Sequence, residues 1–238
     1  FVKMGLCEGV KNEIKNNYKP LLTSFYAPVI ALSGAENSNV YCQICDADLS
    51  RVWVARHPKK DNTHYFAPCK SAVIRLRQYG VRPQMIHLTG FPFSHKLVGG
   101  IDEDIAKLNY SKRINLLDNP KMNSREMPLE IAYVVGGAGA LSEIGLRLAD
   151  SLSADILSGK VILYLIAGIK KEVIKEYLDY KENFFPNCNN IQIVWVQNLS
   201  DYFKKFDEII SHVHVIWTKP SELVFYSALG IPIIMTQP

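Results

Sequence analysis

Apolar and polar positions follow a regular order over the second half of the chain. Short runs rich in valine, isoleucine and leucine are separated by stretches whose apolar residues recur every three or four positions, as on one face of a helix. The predicted strands are residues 129–135, 161–167, 191–196, 213–216 and 231–235, and the predicted helices are residues 141–157, 171–180, a helix that starts at Ser200-Asp201, and residues 221–229. This alternation is typical of a doubly wound parallel α/β sheet.

The first half has shorter strand-like runs and one clear helix. The predicted strands are residues 40–45, 52–55, 63–67 and 85–89, and the predicted helix is residues 71–79, ended by Gly80. Residues 93–128 lose this periodicity and carry Gly99-Gly100, which indicates a linker with one short helix at most. We therefore expect two Rossmann-like domains, residues 1–92 and 129–238, joined by residues 93–128.

Composition limits the class of protein. Of the 238 residues, 48% are apolar and 21% are charged, which excludes a disordered chain. No apolar run reaches the ~18 residues of a membrane span. The net charge of +4 is too mild to indicate a nucleic-acid partner, and none is expected.

The cysteines favour a reducing compartment. There are five, and the Cys42–Cys45 spacing has no second pair of ligands to complete a zinc site. We expect reduced thiols, no bound metal and a cytoplasmic location. The sequence begins at Phe1 and ends in a predicted strand, so we expect it to be cut at both ends.

A glycine-rich loop follows the first strand of the second domain and opens a helix. Gly136, Gly137 and Gly139 let the backbone approach a phosphate, and the helix N-terminus offers unpaired N–H groups. The alternative is a tight turn without a ligand. Residue 142 is serine, so the dinucleotide fingerprint GxGxxG is absent and NAD is not expected.

Two further loops follow strands of the same sheet, where α/β proteins bind ligands. The candidate ligand-binding residues in them are Val196, Gln197, Asn198, Thr218, Lys219, Ser221 and Glu222. Backbone and side-chain amides would face the rim at the first loop, and a lysine and a carboxylate could meet phosphate and ribose at the second. The alternatives are plain turn chemistry and a capped helix with a solvated lysine.

Other polar residues give weaker signals. Asp46 and Asp48 end a predicted strand and suit either acid–base chemistry or a turn. His212 and His214 are expected to alternate along one strand at the edge of the core. No Ser–His–Asp order is visible.

Several of these segments, in this order, resemble a known enzyme family. They are Lys19-Pro20 followed by residues 23–26, Asp46 followed seven residues later by Trp53, residues 64–68, residues 88–92, the loop at residues 136–140, and residues 218–220 with residues 228–232. In them the sequence is similar to the two-domain GT-B glycosyltransferases of the group that holds the murein-precursor N-acetylglucosaminyltransferase, the monogalactosyldiacylglycerol synthases and the processive diacylglycerol glucosyltransferases. The likeness spans about residues 19–238, and its last two motifs are the most specific.

The resemblance implies a metal-independent transfer of sugar from a nucleotide donor, UDP-linked, with no other cofactor. The acceptor is not identified, and a membrane lipid is one candidate. Family roles would put the diphosphate on Gly136, Gly137 and Gly139, the base near residues 196–198, and the ribose and sugar near residues 218–222. Lipid-glycosylating members of the family attach peripherally to membranes through the N-terminal domain, and basic residues give the first domain here a similar bias: Arg51, Arg56, Lys59, Lys60, Arg75, Arg77 and Arg82. The alternative is that these scattered side chains form ordinary solvated surface.

The sequence also departs from that family. Phe225 stands where the family carries a glutamate, and Glu222 lies one helical turn earlier. Ser50 or Arg51 replaces a histidine between Asp46 and Trp53. The family's N-terminal glycine-rich loop and its last acceptor-side loop have no counterpart, so the catalytic residue is unknown, Asp46 is the candidate, and we expect donor binding with little turnover. The alternatives are a nucleotide-sugar 2-epimerase of the same fold and a non-catalytic nucleotide-sugar-binding module.

Overall fold

The chain folds into two compact units, Phe1–Pro92 and Phe93–Pro238. The computed structural model describes residues 5–17, 19–35, 39–46, 48–101, 103–118, 127–135, 139, 141–218 and 222–235. Each unit has its own parallel sheet and its own hydrophobic core.

The first unit has a four-stranded parallel sheet. Its elements are helix α1 (Glu8–Asn17), strand β1 (Leu21–Thr23), helix α2 (Tyr26–Leu32), strands β2 (Val40–Gln43) and β3 (His64–Ala67), helix α3 (Lys70–Gln78) and strand β4 (Ile86–Leu88). The strands lie in the order β1-β2-β3-β4. Val40 and Cys42 of β2 pack against Leu76 of α3, while Tyr41 lies on the half-exposed opposite face, as the alternation along a strand requires.

One predicted strand of this unit is wrong. Residues 52–55 were expected to be β-rich, but Arg51–Trp53 is a short 3-10 helix. The Arg51 guanidinium donates to the carbonyl oxygens of Val54 at 2.7 Å and Ala55 at 3.0 Å. This side chain replaces the ladder partners that a strand would need, and Trp53 is buried beneath the turn.

The second unit is a five-stranded parallel sheet with helices between its strands. Its strands are β5 (Leu129–Val134), β6 (Val161–Gly168), β7 (Ile191–Trp195), β8 (Val215–Thr218) and β9 (Ile233–Met235). Its helices are α4 (His95–Val98), α5 (Ile105–Leu117), α6 (Ser142–Ser151), α7 (Ser153–Leu157), α8 (Lys171–Phe184), α9 (Leu199–His212) and α10 (Leu223–Ala228). The strand order is β7-β6-β5-β8-β9, and the predicted doubly wound sheet is confirmed.

Both faces of this sheet are covered. Ile131, Leu163 and Leu165 face one buried cluster with α6, α7 and α8, whereas Ala132 and Ile166 face another with α9 and α10. Strands buried on both sides are continuously apolar, which is why the sequence runs are so clear here. The predicted helix over residues 141–157 is divided at Leu152 into α6 and α7.

The segment expected as a linker contains two helices of the second unit, α4 and α5. Arg113 of α5 is 4% exposed, and its guanidinium donates to the carbonyl oxygens of Ile210 at 2.9 Å, Leu229 at 3.1 Å and Val213 at 3.2 Å. A buried cation that satisfies three carbonyls ties α5 to the unit. Because this helix is held by a polar contact, it has no apolar periodicity for the sequence to show.

The two histidines near β8 do not share a strand. Helix α9 continues to His212, and His214 precedes β8, so the predicted alternation is wrong. His214 is buried. Its imidazole Nδ1 accepts from the Glu130 backbone N–H at 2.9 Å, and its backbone N–H donates to the Glu130 carbonyl oxygen at 3.0 Å. Among the helices of the described ranges, none combines the length and apolar character needed to cross a membrane.

Candidate functional site

The carboxyl ends of β5 and β8 lie side by side in the second sheet. The chain runs outward from β5 through β6 to β7, then crosses back to β8 and β9, so the direction of winding reverses at this pair of strands. Ligands of doubly wound sheets bind at such a reversal. The glycine-rich loop follows β5 and the segment from Thr218 to Glu222 follows β8, so the two predicted segments leave the sheet from neighbouring strands at the same edge.

Part of each segment is described. The structure describes Gly139, Thr218 and Glu222. The predicted site residues Gly136, Gly137, Lys219 and Ser221 lie outside the described residues. The described geometry is therefore that of the far end of the glycine loop and of the two ends of the segment from Thr218 to Glu222.

The end of the glycine loop has a left-handed backbone at two positions. Gly139 has φ +79° and Leu141 has φ +68°, the second of which is uncommon for a residue with a branched side chain. Tyr133 of β5 donates to the Leu141 carbonyl at 2.5 Å, and Tyr177 of α8 donates to the Ser142 carbonyl at 3.0 Å. Two buried tyrosines thus fix the point where the loop enters α6.

Those hydroxyls remain protonated to high pH. Burial, followed by the charge of Glu143, raises the pKa of Tyr133 to about 12. Burial chiefly raises the pKa of Tyr177 as well, to well above its ordinary value. Both groups are therefore hydrogen-bond donors throughout the physiological range.

Gly145 allows α6 to approach the sheet closely, a role that the sequence did not reveal. A Cβ at this position would lie 2.6 Å from the Tyr177 hydroxyl oxygen and 2.7 Å from Cδ1 of Tyr133. In dinucleotide sites the last glycine of the fingerprint serves the same helix–strand packing. In this sequence Ser142 stands where the GxGxxG spacing would place that glycine, and Gly145 lies three residues later.

Lys170 brings a cation to the glycine loop, and sequence reasoning missed it too. A Cβ on Gly139 would lie 3.8 Å from Cγ of Lys170, so the stem of this lysine runs beside the loop. Lys170 is the N-cap residue of α8 and its side chain makes no cap bond. No sequence motif marks Lys170, which follows β6. Its proximity to Gly139 depends on the pairing of β5 and β6, which the sequence does not show.

Glu222 lies in a group of hydroxyls at the end of β8. One of its carboxylate oxygens accepts from Thr218 Oγ1 at 3.0 Å and from the Tyr226 hydroxyl at 3.1 Å. Thr218 and Tyr226 are each 2% exposed, so they fix the orientation of the carboxylate. Burial, followed by the charge of Glu222, raises the pKa of the nearby Tyr202 to about 12.

Phe225 belongs to the core. It packs against Phe93 with ring centroids 5.0 Å apart, and against Tyr226 at 5.1 Å. Its side chain contributes to the cluster under α9 and α10, and Glu222 is the carboxylate of this helix end.

The loop at Val196, Gln197 and Asn198 lies further along the sheet, and its part in ligand binding stays a prediction. It follows β7, at the edge of the sheet and two strands from β5, which is about 10 Å at the usual strand spacing. Asn198 is the N-cap of α9: its Oδ1 accepts from the Asp201 N–H at 3.0 Å and its Nδ2 donates to the Asp201 carboxylate at 2.8 Å. The turn-chemistry alternative therefore describes the Asn198 side chain.

Asp46, the candidate catalytic residue, is in the first unit after β2. Its Oδ1 accepts from the Asp48 N–H at 3.2 Å, and Asp48 pairs with Arg75 at 2.7 Å. The two carboxylates shape a turn and point to separate partners. A catalytic role for Asp46 stays a prediction.

Metal ligands are not grouped in the described part of the chain. No three histidine, cysteine or carboxylate side chains converge there. Burial, followed by the charge of Cys45, raises the pKa of the Cys42 thiol to about 12, and burial raises the pKa of Cys45.

Comparison with known proteins identifies the fold. No protein-family model and no curated protein sequence matches this chain. Among solved structures, it is similar to a UDP-GlcNAc 2-epimerase from Neisseria meningitidis bound to UDP-GlcNAc, with TM-score 0.58, 10% identity and 98% of this chain covered. It is also similar to S. aureus MnaA solved with UDP, with TM-score 0.55, 12% identity and 100% of this chain covered.

A third similar structure is HepE of Anabaena in complex with UDP and glucose, with TM-score 0.51, 11% identity and 95% of this chain covered. The chain spans 62–63% of the length of these three proteins. At such low identity the likeness bears on the fold, and it confirms the expected α/β architecture of two Rossmann-like domains, the GT-B fold.

Proposed function

We propose that this protein binds a UDP-sugar through its second unit and acts on it. The observation that carries the proposal is that the glycine loop and the Thr218–Glu222 segment follow neighbouring strands, β5 and β8, where the winding of the sheet reverses. Three proteins of the same fold were solved with UDP, UDP-GlcNAc, or UDP and glucose, which supports a nucleotide-sugar as ligand here.

The diphosphate would lie on the glycine loop. Gly136, Gly137 and Gly139 would present backbone N–H groups, and α6 would add the positive end of its dipole. Lys170 supports this assignment. A lysine beside the start of a helix is opposed by the helix dipole by ~0.3–1 kcal/mol, and a bound anion next to it would offset that cost.

The ribose and sugar would lie at the segment after β8. Thr218 and Tyr226 hold the Glu222 carboxylate in one orientation, and a carboxylate so held suits sugar hydroxyl groups as hydrogen-bond donors. Lys219 and Ser221 would contribute at the same end. A helix dipole and lysines can offset the charge of a leaving diphosphate, so transfer would need no metal ion.

For the reaction itself, the sequence motifs favour glycosyl transfer, in the manner of the murein and glycolipid glycosyltransferases that the sequence resembles. The acceptor is not identified, and a membrane lipid is one candidate. The enzyme would work in the cytoplasm or at the cytoplasmic surface of a membrane. The fold likeness to a UDP-GlcNAc 2-epimerase, which has the highest TM-score of the three structures given above, favours epimerisation as the second candidate.

The products separate the two reactions from simple binding. The chain is incubated with UDP-GlcNAc or UDP-glucose, with and without a lipid extract, and nucleotides and sugars are separated by liquid chromatography. UDP released only with the extract supports transfer, and an inverted sugar formed without it supports epimerisation. Tight binding of a UDP-sugar with neither product supports a non-catalytic nucleotide-sugar-binding module. Absence of binding to UDP and to both UDP-sugars would exclude the proposal that the protein binds a UDP-sugar.

A further inference from the structure

A basic cleft of about 620 Å³ lies in the first unit. Its lining includes Arg51, Arg56, His57, Lys59, Lys60 and Asp61. The loop that carries them leads into the amino end of β3, and the other lining residues precede β2 and β4. The cleft is therefore at the amino edge of this sheet, opposite to the edge where doubly wound folds bind nucleotides.

Within the described ranges the lining of the cleft carries four cations, Arg51, Arg56, Lys59 and Lys60, and one carboxylate, Asp61. There, no carboxylate lies within ion-pair distance of Arg56, Lys59 or Lys60. The carboxylate of Asp61 instead accepts from neutral donors: the Thr63 N–H at 2.9 Å, its hydroxyl at 2.5 Å, and the Gly34 N–H at 3.3 Å. Clustered cations of this kind repel each other and attract an anion.

The backbone that carries these cations is fixed. The Arg56 N–H donates to Ser33 Oγ at 3.0 Å, and Arg82 donates to the Asp61 carbonyl and to Asn62 Oδ1, both at 2.9 Å. Arg51 holds the preceding turn through the Val54 and Ala55 carbonyls. A ligand would therefore meet a cleft that needs little ordering of the main chain on binding.

Side-chain placement narrows the class of ligand. The stem of Lys59 lies along Gly80, where a Cβ would meet its Cγ and Cε at 3.9 Å. The Lys59 side chain therefore runs beside Gly80, another residue of the cleft lining. Guanidinium and ammonium groups gathered around a concave surface of this size suit phosphate oxygens, which accept several charged hydrogen bonds at once.

We propose that this cleft binds a phosphate-bearing ligand, either a free polyphosphate compound or a phosphate headgroup of a lipid. All its lining residues belong to the first unit, so the inference stands independently of the donor site proposed in the second unit.

The test compares two variants of the full chain with equal loss of charge. Lys59→Gln/Lys60→Gln removes two cations of the cleft, and Lys204→Gln/Lys205→Gln removes two exposed cations of α9. Tripolyphosphate is titrated calorimetrically at low salt with saturating UDP present, and co-sedimentation uses phosphatidylcholine vesicles with or without phosphatidic acid. We expect the cleft variant to bind about tenfold more weakly and the control to change by less than about twofold.

The two arms identify the source of the phosphate. Loss confined to the cleft variant with tripolyphosphate supports a soluble ligand, and the same loss with phosphatidic acid vesicles supports a lipid headgroup. No binding in either arm, or equal weakening in both double variants, would overturn the inference. Arg56→Gln serves as a second cleft variant if the double variant is unfolded by circular dichroism, and unchanged binding by it would count against the cleft.

Discussion

At the scale of single residues, glycines shape the candidate site in two different ways. Gly139 supplies a left-handed backbone at φ +79°, next to the stem of Lys170. Gly145 supplies room, because Tyr133 and Tyr177 occupy the space of a Cβ. The first role was readable from the glycine-rich stretch, whereas the second depends on how α6 packs against β5 and α8.

Replacing Gly145 by alanine should destabilise the protein. The new methyl group would lie 2.6 Å from the Tyr177 hydroxyl oxygen, so the helix or the tyrosine must move. We expect a loss of about 1–3 kcal/mol in the free energy of unfolding, measured by guanidinium denaturation. Gly9→Ala is the matched control, because Gly9 lies in α1 with nothing within 4 Å of the added atom, and it should gain up to about 1 kcal/mol. Equal effects of the two substitutions would contradict the close packing at Gly145.

Lys170→Gln should weaken UDP binding about fivefold to tenfold, because the change removes a cation beside the proposed diphosphate site. Lys175→Gln, later in the same helix, is the control and should change affinity by less than about twofold. Calorimetric titration of UDP measures both, and higher ionic strength should narrow the difference between them. The same affinity in the two variants would remove Lys170 from the site.

At the scale of elements, His214 links three parts of the second unit. It precedes β8 and follows the end of α9. Its backbone N–H donates to the Glu130 carbonyl of β5, and its imidazole Nδ1 accepts from the Glu130 backbone N–H. Burial lowers the pKa of its imidazole from the ordinary 6.5, with Glu130 opposing and Arg113 and His212 adding to that shift. The neutral ring is the form that accepts from the Glu130 N–H.

This junction predicts a loss of stability in mild acid. Between the lowered pKa of the folded state and 6.5, the unfolded chain binds the proton more strongly, so the free energy of unfolding falls as the pH falls. His214→Asn keeps an acceptor without titrating, so its unfolding free energy should decline less than that of the wild type between about pH 7 and pH 5. His95→Asn, at an exposed histidine of α4, should keep the wild-type slope. A steeper decline in His214→Asn would show that the sign is wrong.

The strand that the sequence shows most clearly is buried on both sides. Strand β6 is an almost continuous apolar run because helices cover both faces of the sheet. Strand β7, at the sheet edge, carries exposed Gln192 and Trp195. Helix α5 could not be predicted from apolar periodicity, because the Arg113 side chain attaches it to the unit through hydrogen bonds to backbone carbonyl groups. Strand β1 could not be predicted because Leu21–Thr23 is too short for an alternating pattern.

At the scale of the whole molecule, the candidate chemistry is divided between two compact units. The first carries the basic cleft and Asp46, and the second carries the reversal of the sheet between β5 and β8. The order of strands and helices was enough to predict the fold class. It could not show which strands are neighbours: β8 pairs with β5, the strand before the glycine loop, and β7 lies at the sheet edge.

Hydrogen–deuterium exchange of the full chain, with and without saturating UDP, tests whether the nucleotide binds at the reversal between β5 and β8. We expect the strongest protection in peptides that cover the β5–α6 and β8–α10 junctions, because the nucleotide is proposed to lie at the reversal between β5 and β8. Unchanged exchange throughout the chain, or protection confined to the first unit, would contradict this placement of the nucleotide.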